Sequence, residues 1–280
     1  MATTMLFAKN YLGSSIRHMA ETIETTEVVR NRADLIGNPK EDELLVSSDE
    51  CHYSDCRAKP KWRGRIHRLA FYGAIGLYFV LLCALQTNRF YLTIYFLSQI
   101  ILYGVSSTYH MTDWKTRESE KLCQKLDHTS IFLLISGTQT CVLSAIAELN
   151  IKLKTSTSGY VLLTYALAGL GIVKVFVFRT VPRYVNVMYY IVHGSSIVLC
   201  VPMTKLWQER VIVGLCAFGG AAYIAGGLVY GSKKPDPSPK VFGYHEVFHV
   251  LTVVGNFCFL LTIIWAAYRR DHINQAFKTS

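Results

Sequence analysis

The sequence predicts an all-α membrane protein, a polytopic bundle of seven transmembrane helices. Half of its 280 residues are apolar (51%) and only 17% are charged. The apolar residues come in blocks near the 20 residues that cross a bilayer as a helix, rather than in the stripes of a soluble domain. The connections between blocks are mostly short, which favours antiparallel neighbours.

Residues 1–60 read as a soluble tail. Residues 1–56 carry five basic and ten acidic groups, and "SIRHMAETIETTEVVRNRADLI" has the spacing of a short helix. The opening "MATTMLFAKNYLGSS" lacks the basic start and apolar core of a secretory signal, so the first span is expected to serve as its own insertion signal. "CHYSDC", at 51–56, sets two thiols near His52, a weak metal signal on its own.

Seven apolar runs follow, at 69–85, 90–110, 130–147, 160–178, 185–201, 211–231 and 247–268. They define a membrane domain over 61–270, with 271–280 as a short C-terminal tail. The sixth run, "GLCAFGGAAYIAGG", is dense in small residues and is expected in the bundle interior, where backbones approach closely. Five of the eight cysteines (Cys83, Cys141, Cys200, Cys216, Cys258) lie inside these runs as small apolar side chains and suggest no disulfide framework.

Flanking cations set the expected orientation. One side of the bundle holds five between 59 and 68, four between 115 and 125, Arg179 and Arg183, and three between 233 and 240. The other side holds Arg89, two at 152 and 154, Lys205 and Arg210, then Arg269, Arg270 and Lys278. The richer side faces the cytosol, so the N-terminus is cytosolic and the C-terminus outside. The net charge of +10 is explained by basic loops beside anionic lipid and requires no nucleic-acid partner.

Ionisable groups inside a bilayer are costly and therefore mark function. His110 ends the second span, Asp127 and His128 begin the third, and His245, Glu246 and His249 begin the seventh. Alternation of the spans brings all of them to the cytosolic end. His245 and His249 share one helix face, the second about 6 Å deeper. With His110 from a facing helix they make a three-nitrogen zinc site whose fourth position is open. Asp127 can then accept a hydrogen bond from a ligand or act as general base, and Ser106, one turn before His110, can hold a water or a substrate oxygen.

Other polar residues have plainer readings. His128 reads as interfacial, and His193 as a bundle histidine satisfied by a neighbouring Ser or Tyr. Lys174 is expected to snorkel to the surface, and His67, within "RGRIHRL", to be a poor cation ligand among basic neighbours. The literal His-Glu-x-x-His of "GYHEVFHV" matches a soluble zinc protease motif, but no third ligand of that type follows His249. Glu246 is therefore expected to face headgroups or pair with a loop Lys.

"SSTYH", "KLDHTSIFLLISGTQT" and "GYHEVFHVLTVVGN" resemble the motifs of the hemolysin III and progestin-and-adipoQ-receptor superfamily, over roughly residues 60–270. The resemblance implies seven spans, a cytosolic N-terminus and a zinc site on His110, His245 and His249, with Asp127 and Ser106 beside it. It further implies either zinc-dependent hydrolysis of a lipid amide of the ceramide type or reception of a steroid, lipid or protein ligand with structural zinc. This chain departs from the pattern at Arg63, where Asn is expected, and at Gln139 and Cys141, where Tyr and Pro are common. A transporter or pore ranks last, since no inverted repeat is visible.

Overall fold

A computed structural model describes residues 59–85, 88–178 and 181–279, and side chains as far as Gln275. The acidic tail, its expected helix and the "CHYSDC" thiols lie outside the described residues. Within them the architecture is all-helical, with one isolated bridge between Ser238 and Phe242.

Helix α1 (Arg65–Ala84) follows Gly64, and α2 (Arg89–Met111) is capped by Asn88, whose side chain accepts from Phe90 N. Helix α3 (Arg117–Ala147) starts at Thr116, which accepts from Ser119 N, and Glu118 and Glu120 in its first turn suit the positive end of the helix dipole. Ser156 caps α4 (Thr157–Val177) in the same way. Then come α5 (Arg183–Ser195), a 3₁₀ turn (Ser196–Leu199), the one-turn α6 (Met203–Leu206), α7 (Arg210–Ser232) and α8 (Tyr244–Thr279).

Helix α3 is the axis of the bundle: 78% of its most apolar window is buried, against 11% for α1. It touches α2, α4, α5 and α8, while α1 bridges α2 and α8, and α7 lies along α8. The far end of α8 is clamped by ion pairs, Arg269 to Glu209 and Arg270 to Glu148.

Six helices among the described residues are long and apolar enough to cross a membrane. The fifth apolar run does not form one such helix, because its α-helix gives way to the 3₁₀ turn after Ser195. The change of pitch removes regular N–H donors from the carbonyls in the last turn of α5. Gln139 Nε2 from α3 supplies them, donating to His193 O at 2.9 Å and Gly194 O at 2.7 Å, and Ser196 Oγ adds a bond to His193 O at 2.7 Å. A residue that departs from the family pattern thus satisfies an interrupted helix from inside the bundle.

Helix α7 corrects a second expectation. Its small residues do permit close packing: a Cβ on Gly219 would lie 3.2 Å from Gly255 O, and one on Gly255 would lie 2.7 Å from Tyr223. That contact uses one face only, since a Cβ on Gly214 or Gly220 would meet nothing within 4 Å. The helix sits on the perimeter of the bundle, pressed against α8, and not in its interior.

Candidate metal centre

The start of α8 is fixed by two carboxylates, Glu246 of its first turn and Asp236 of the preceding loop. Glu246 Oε2 accepts from Gly243 N at 2.8 Å, half of a capping box, and Asp236 Oδ1 accepts from Tyr244 N at 2.8 Å. This turn places His245 and His249 on the helix face turned towards the last turn of α2, where His110 sits.

The three imidazoles converge. His245 Nε2 and His110 Nε2 are 3.0 Å apart, and the ring centroids are 4.6 Å (His110 and His245), 4.6 Å (His245 and His249) and 5.3 Å (His110 and His249) apart. One ring nitrogen from each lies within 4.8 Å of the other two, and the group can hold a metal ion. Tetrahedral Zn–N bonds of 2.0–2.1 Å imply nitrogens about 3.3 Å apart, a separation within the 4.8 Å spread of this group. The buried Nδ1 of His249 has no hydrogen-bond partner among the described residues.

Asp127, buried ten residues beyond the first residue of α3, brings Oδ2 to 3.9 Å from His110 Nε2, too long for a hydrogen bond and close enough for charge interaction. The Ser106 side chain faces that carboxylate. All five residues singled out in the sequence therefore occupy one end of the bundle, on α2, α3 and α8.

Glu246 is absent from this group. Its carboxylate is fully buried and accepts from Arg63 Nε at 2.6 Å, so it meets neither headgroups nor a loop Lys. Arg63 belongs to a strap, residues 59–64, that crosses the site's rim. Lys61 N and Trp62 N donate to Lys240 O and Val241 O, and Lys59 Nζ donates to Thr112 O. Gly64 ends the strap at φ 74°, where a Cβ would lie 2.7 Å from Met111 and 3.0 Å from His110 Cβ. Only glycine allows both that backbone conformation and that approach.

His67 is the residue that sequence reasoning missed. It is buried, and its ring lies flat on His249, with centroids 3.7 Å apart and planes 7° from parallel. Its basic neighbours do not share its environment: Arg65 and Arg68 project outward, and Arg63 is paired with Glu246. The signal available was helix geometry, which separates residues one or two positions apart onto different faces.

The remaining polar residues lie elsewhere. His193 Nε2 is 3.0 Å from Thr164 Oγ1 and 3.4 Å from Ser136 Oγ, so Thr164 joins the expected serine as its partner. Lys174 bonds Asn186 Oδ1 at 2.6 Å and stands over the Tyr189 ring. His128 is half-buried, and its carbonyl accepts from Tyr190.

Residues 57–260 match the family described as haemolysin-III related. This span covers every residue of the histidine group and all six membrane-length helices up to the middle of α8. The chain is therefore a multi-pass integral membrane protein and belongs to the haemolysin-III related family.

Proposed function

We propose that this protein is a zinc hydrolase embedded in the membrane, cleaving an amide or ester bond of a lipid at the cytosolic end of a seven-span bundle. The observation that carries it is the convergence of three imidazoles, two of them buried and that of His245 half-buried, with Asp127 at 3.9 Å from one of them. An all-nitrogen donor set of neutral imidazoles suits zinc better than magnesium or calcium, which prefer oxygen.

Three of the chain's residues, His110, His245 and His249, would hold the ion and leave one position open. Bound zinc would supply Lewis-acid polarisation of the scissile carbonyl and lower the pKa of a water. Asp127 Oδ2 takes the proton of the attacking water and passes it to the leaving nitrogen or oxygen. Ser106 orients that carboxylate through its hydroxyl. The strap, tied down by Arg63 and Glu246, limits bulk water at the rim.

Support for the seven-span topology comes from α5 and its 3₁₀ extension. Thirteen α residues and four 3₁₀ residues rise about 28 Å, close to the roughly 30 Å of hydrocarbon. That length supports counting the interrupted segment as a span, and the excess of cations supports a cytosolic strap end.

One observation favours a second reading, a receptor or signalling protein for a lipid or steroid with structural zinc. Beneath the histidines, Asn256 Nδ2 donates to Tyr103 OH at 2.6 Å, and Tyr223 OH donates to Asn256 Oδ1 at 2.7 Å, filling the interior with hydrogen-bonded aromatic side chains. An ion above such a plug braces α2 against α8.

Metal analysis of detergent-purified protein beside His110→Ala and His249→Ala, together with fatty-acid release from N-acyl sphingoid lipids and glycerolipids, separates the two. The hydrolase reading expects about one zinc per chain, lost in both variants, and release only by the wild type. Full zinc with no release over days would leave the structural reading. Metal retained in both variants would remove the centre itself.

A further inference from the structure

We propose that His67 is a positioning residue of the metal centre, holding the His249 ring in the plane from which it presents a nitrogen to the ion. The inference rests on the metal reading above, and it concerns a residue outside the three-histidine group.

A ligating histidine is ordinarily oriented through its second ring nitrogen, which donates to a carboxylate or a carbonyl. His249 lacks that device. Its buried Nδ1 has no hydrogen-bond partner, and no polar group of the described residues bonds its ring. What the ring does have is a flat neighbour: His67 covers it at 3.7 Å and 7°. Rotation of His249 about its outer torsion would drive one edge into that neighbour.

The same geometry excludes His67 as a fourth ligand. Imidazole lone pairs lie in the ring plane, and two nearly parallel planes about one van der Waals thickness apart share no point nearby. A group that His249 held through a ring nitrogen would therefore be out of reach of the His67 nitrogens. Nor is His67 held by strong polar bonds. Neither of its nitrogens forms a well-aligned hydrogen bond, and its weak polar contact is with the His249 backbone. It is fixed by packing, with Tyr103 tilted against it at 5.1 Å and 52°.

The test compares wild type with His67→Phe, which keeps a flat ring, and His67→Leu, which keeps apolar volume without one. Zinc affinity is read by competition with a chromophoric chelator, and the ligand field by the visible bands of the cobalt-substituted protein. His67→Leu should bind zinc about 10- to 100-fold more weakly, the usual loss when a ligand's support is removed, and should shift the cobalt bands. His67→Phe should stay within about threefold of wild type, since the stack persists. Unchanged affinity in His67→Leu overturns the proposal, as does equal weakening in both variants, which would assign the effect to the ring nitrogens. A metal-free melting temperature lowered as far as the zinc-loaded one would also overturn it, by assigning His67 to packing alone. Wild-type protein that binds no metal refutes the underlying metal reading instead.

Discussion

Arg63 Nε donates to Glu246 Oε1 at 2.6 Å across 183 positions of sequence, and the carboxylate it meets is fully buried. The pair ties the strap to the first turn of α8, and it removes the glutamate of the His-Glu-x-x-His string from any role as a base.

Arg63→Ala should lower thermal stability by about 2 kcal/mol, less than the 3–5 kcal/mol of a fully buried pair because Arg63 is partly exposed. Glu246→Gln preserves the acceptor for Gly243 N and should keep both metal content and lipid turnover. Loss of turnover in Glu246→Gln at wild-type zinc content would restore the protease-like assignment.

Gly64→Ala places a methyl group against Met111 and His110 in a left-handed backbone, at a conformational cost of about 1–2 kcal/mol. Relief of the contact displaces His110. The expected outcome in calorimetry and chelator competition is a lower melting temperature together with weaker zinc binding. A change in only the first would show that the strap is not coupled to the ligand.

Gln139→Leu strips two carbonyls of α5 of their side-chain donor, a loss of about 2 kcal/mol. Gln139 lies twelve residues along α3 from Asp127, about 18 Å, so zinc affinity should not move. Thermal unfolding in detergent and zinc titration of the same sample check both halves of the prediction.

Asp127→Asn should keep zinc and slow lipid hydrolysis by about 10²- to 10⁴-fold, the range of a lost general base. Single-turnover fatty-acid release, normalised to zinc content, measures it. Equal rates in variant and wild type would remove Asp127 from proton transfer.

Much of the fold was legible because hydrophobic block length and helix rise are sufficient to place long helices. The break after Ser195 was not, since hydropathy is blind to a change from α to 3₁₀ pitch, and Gln139 gains its meaning only when α5 lies opposite it. The convergence of His110, His245 and His249 was legible from a four-residue spacing on one helix and the alternation of spans. His67 was hidden because α1 beyond its first turn is apolar all around: helix geometry separates His67 from Arg65 and Arg68, but the apolar run does not say which face is buried. Arg63 read as one more surface cation, and its buried partner became visible only with the strap folded over α8.

The spacing of the histidines also constrains how the molecule is made. His110 and His245 meet across 135 positions. At 5–20 residues per second, the ribosome needs roughly 7 to 27 s to travel between them. During that interval α2 is inserted while its partner helix has yet to emerge, so on the proposed reading a metal ion would be loaded late in biogenesis, and its uptake would report that insertion of the bundle has finished.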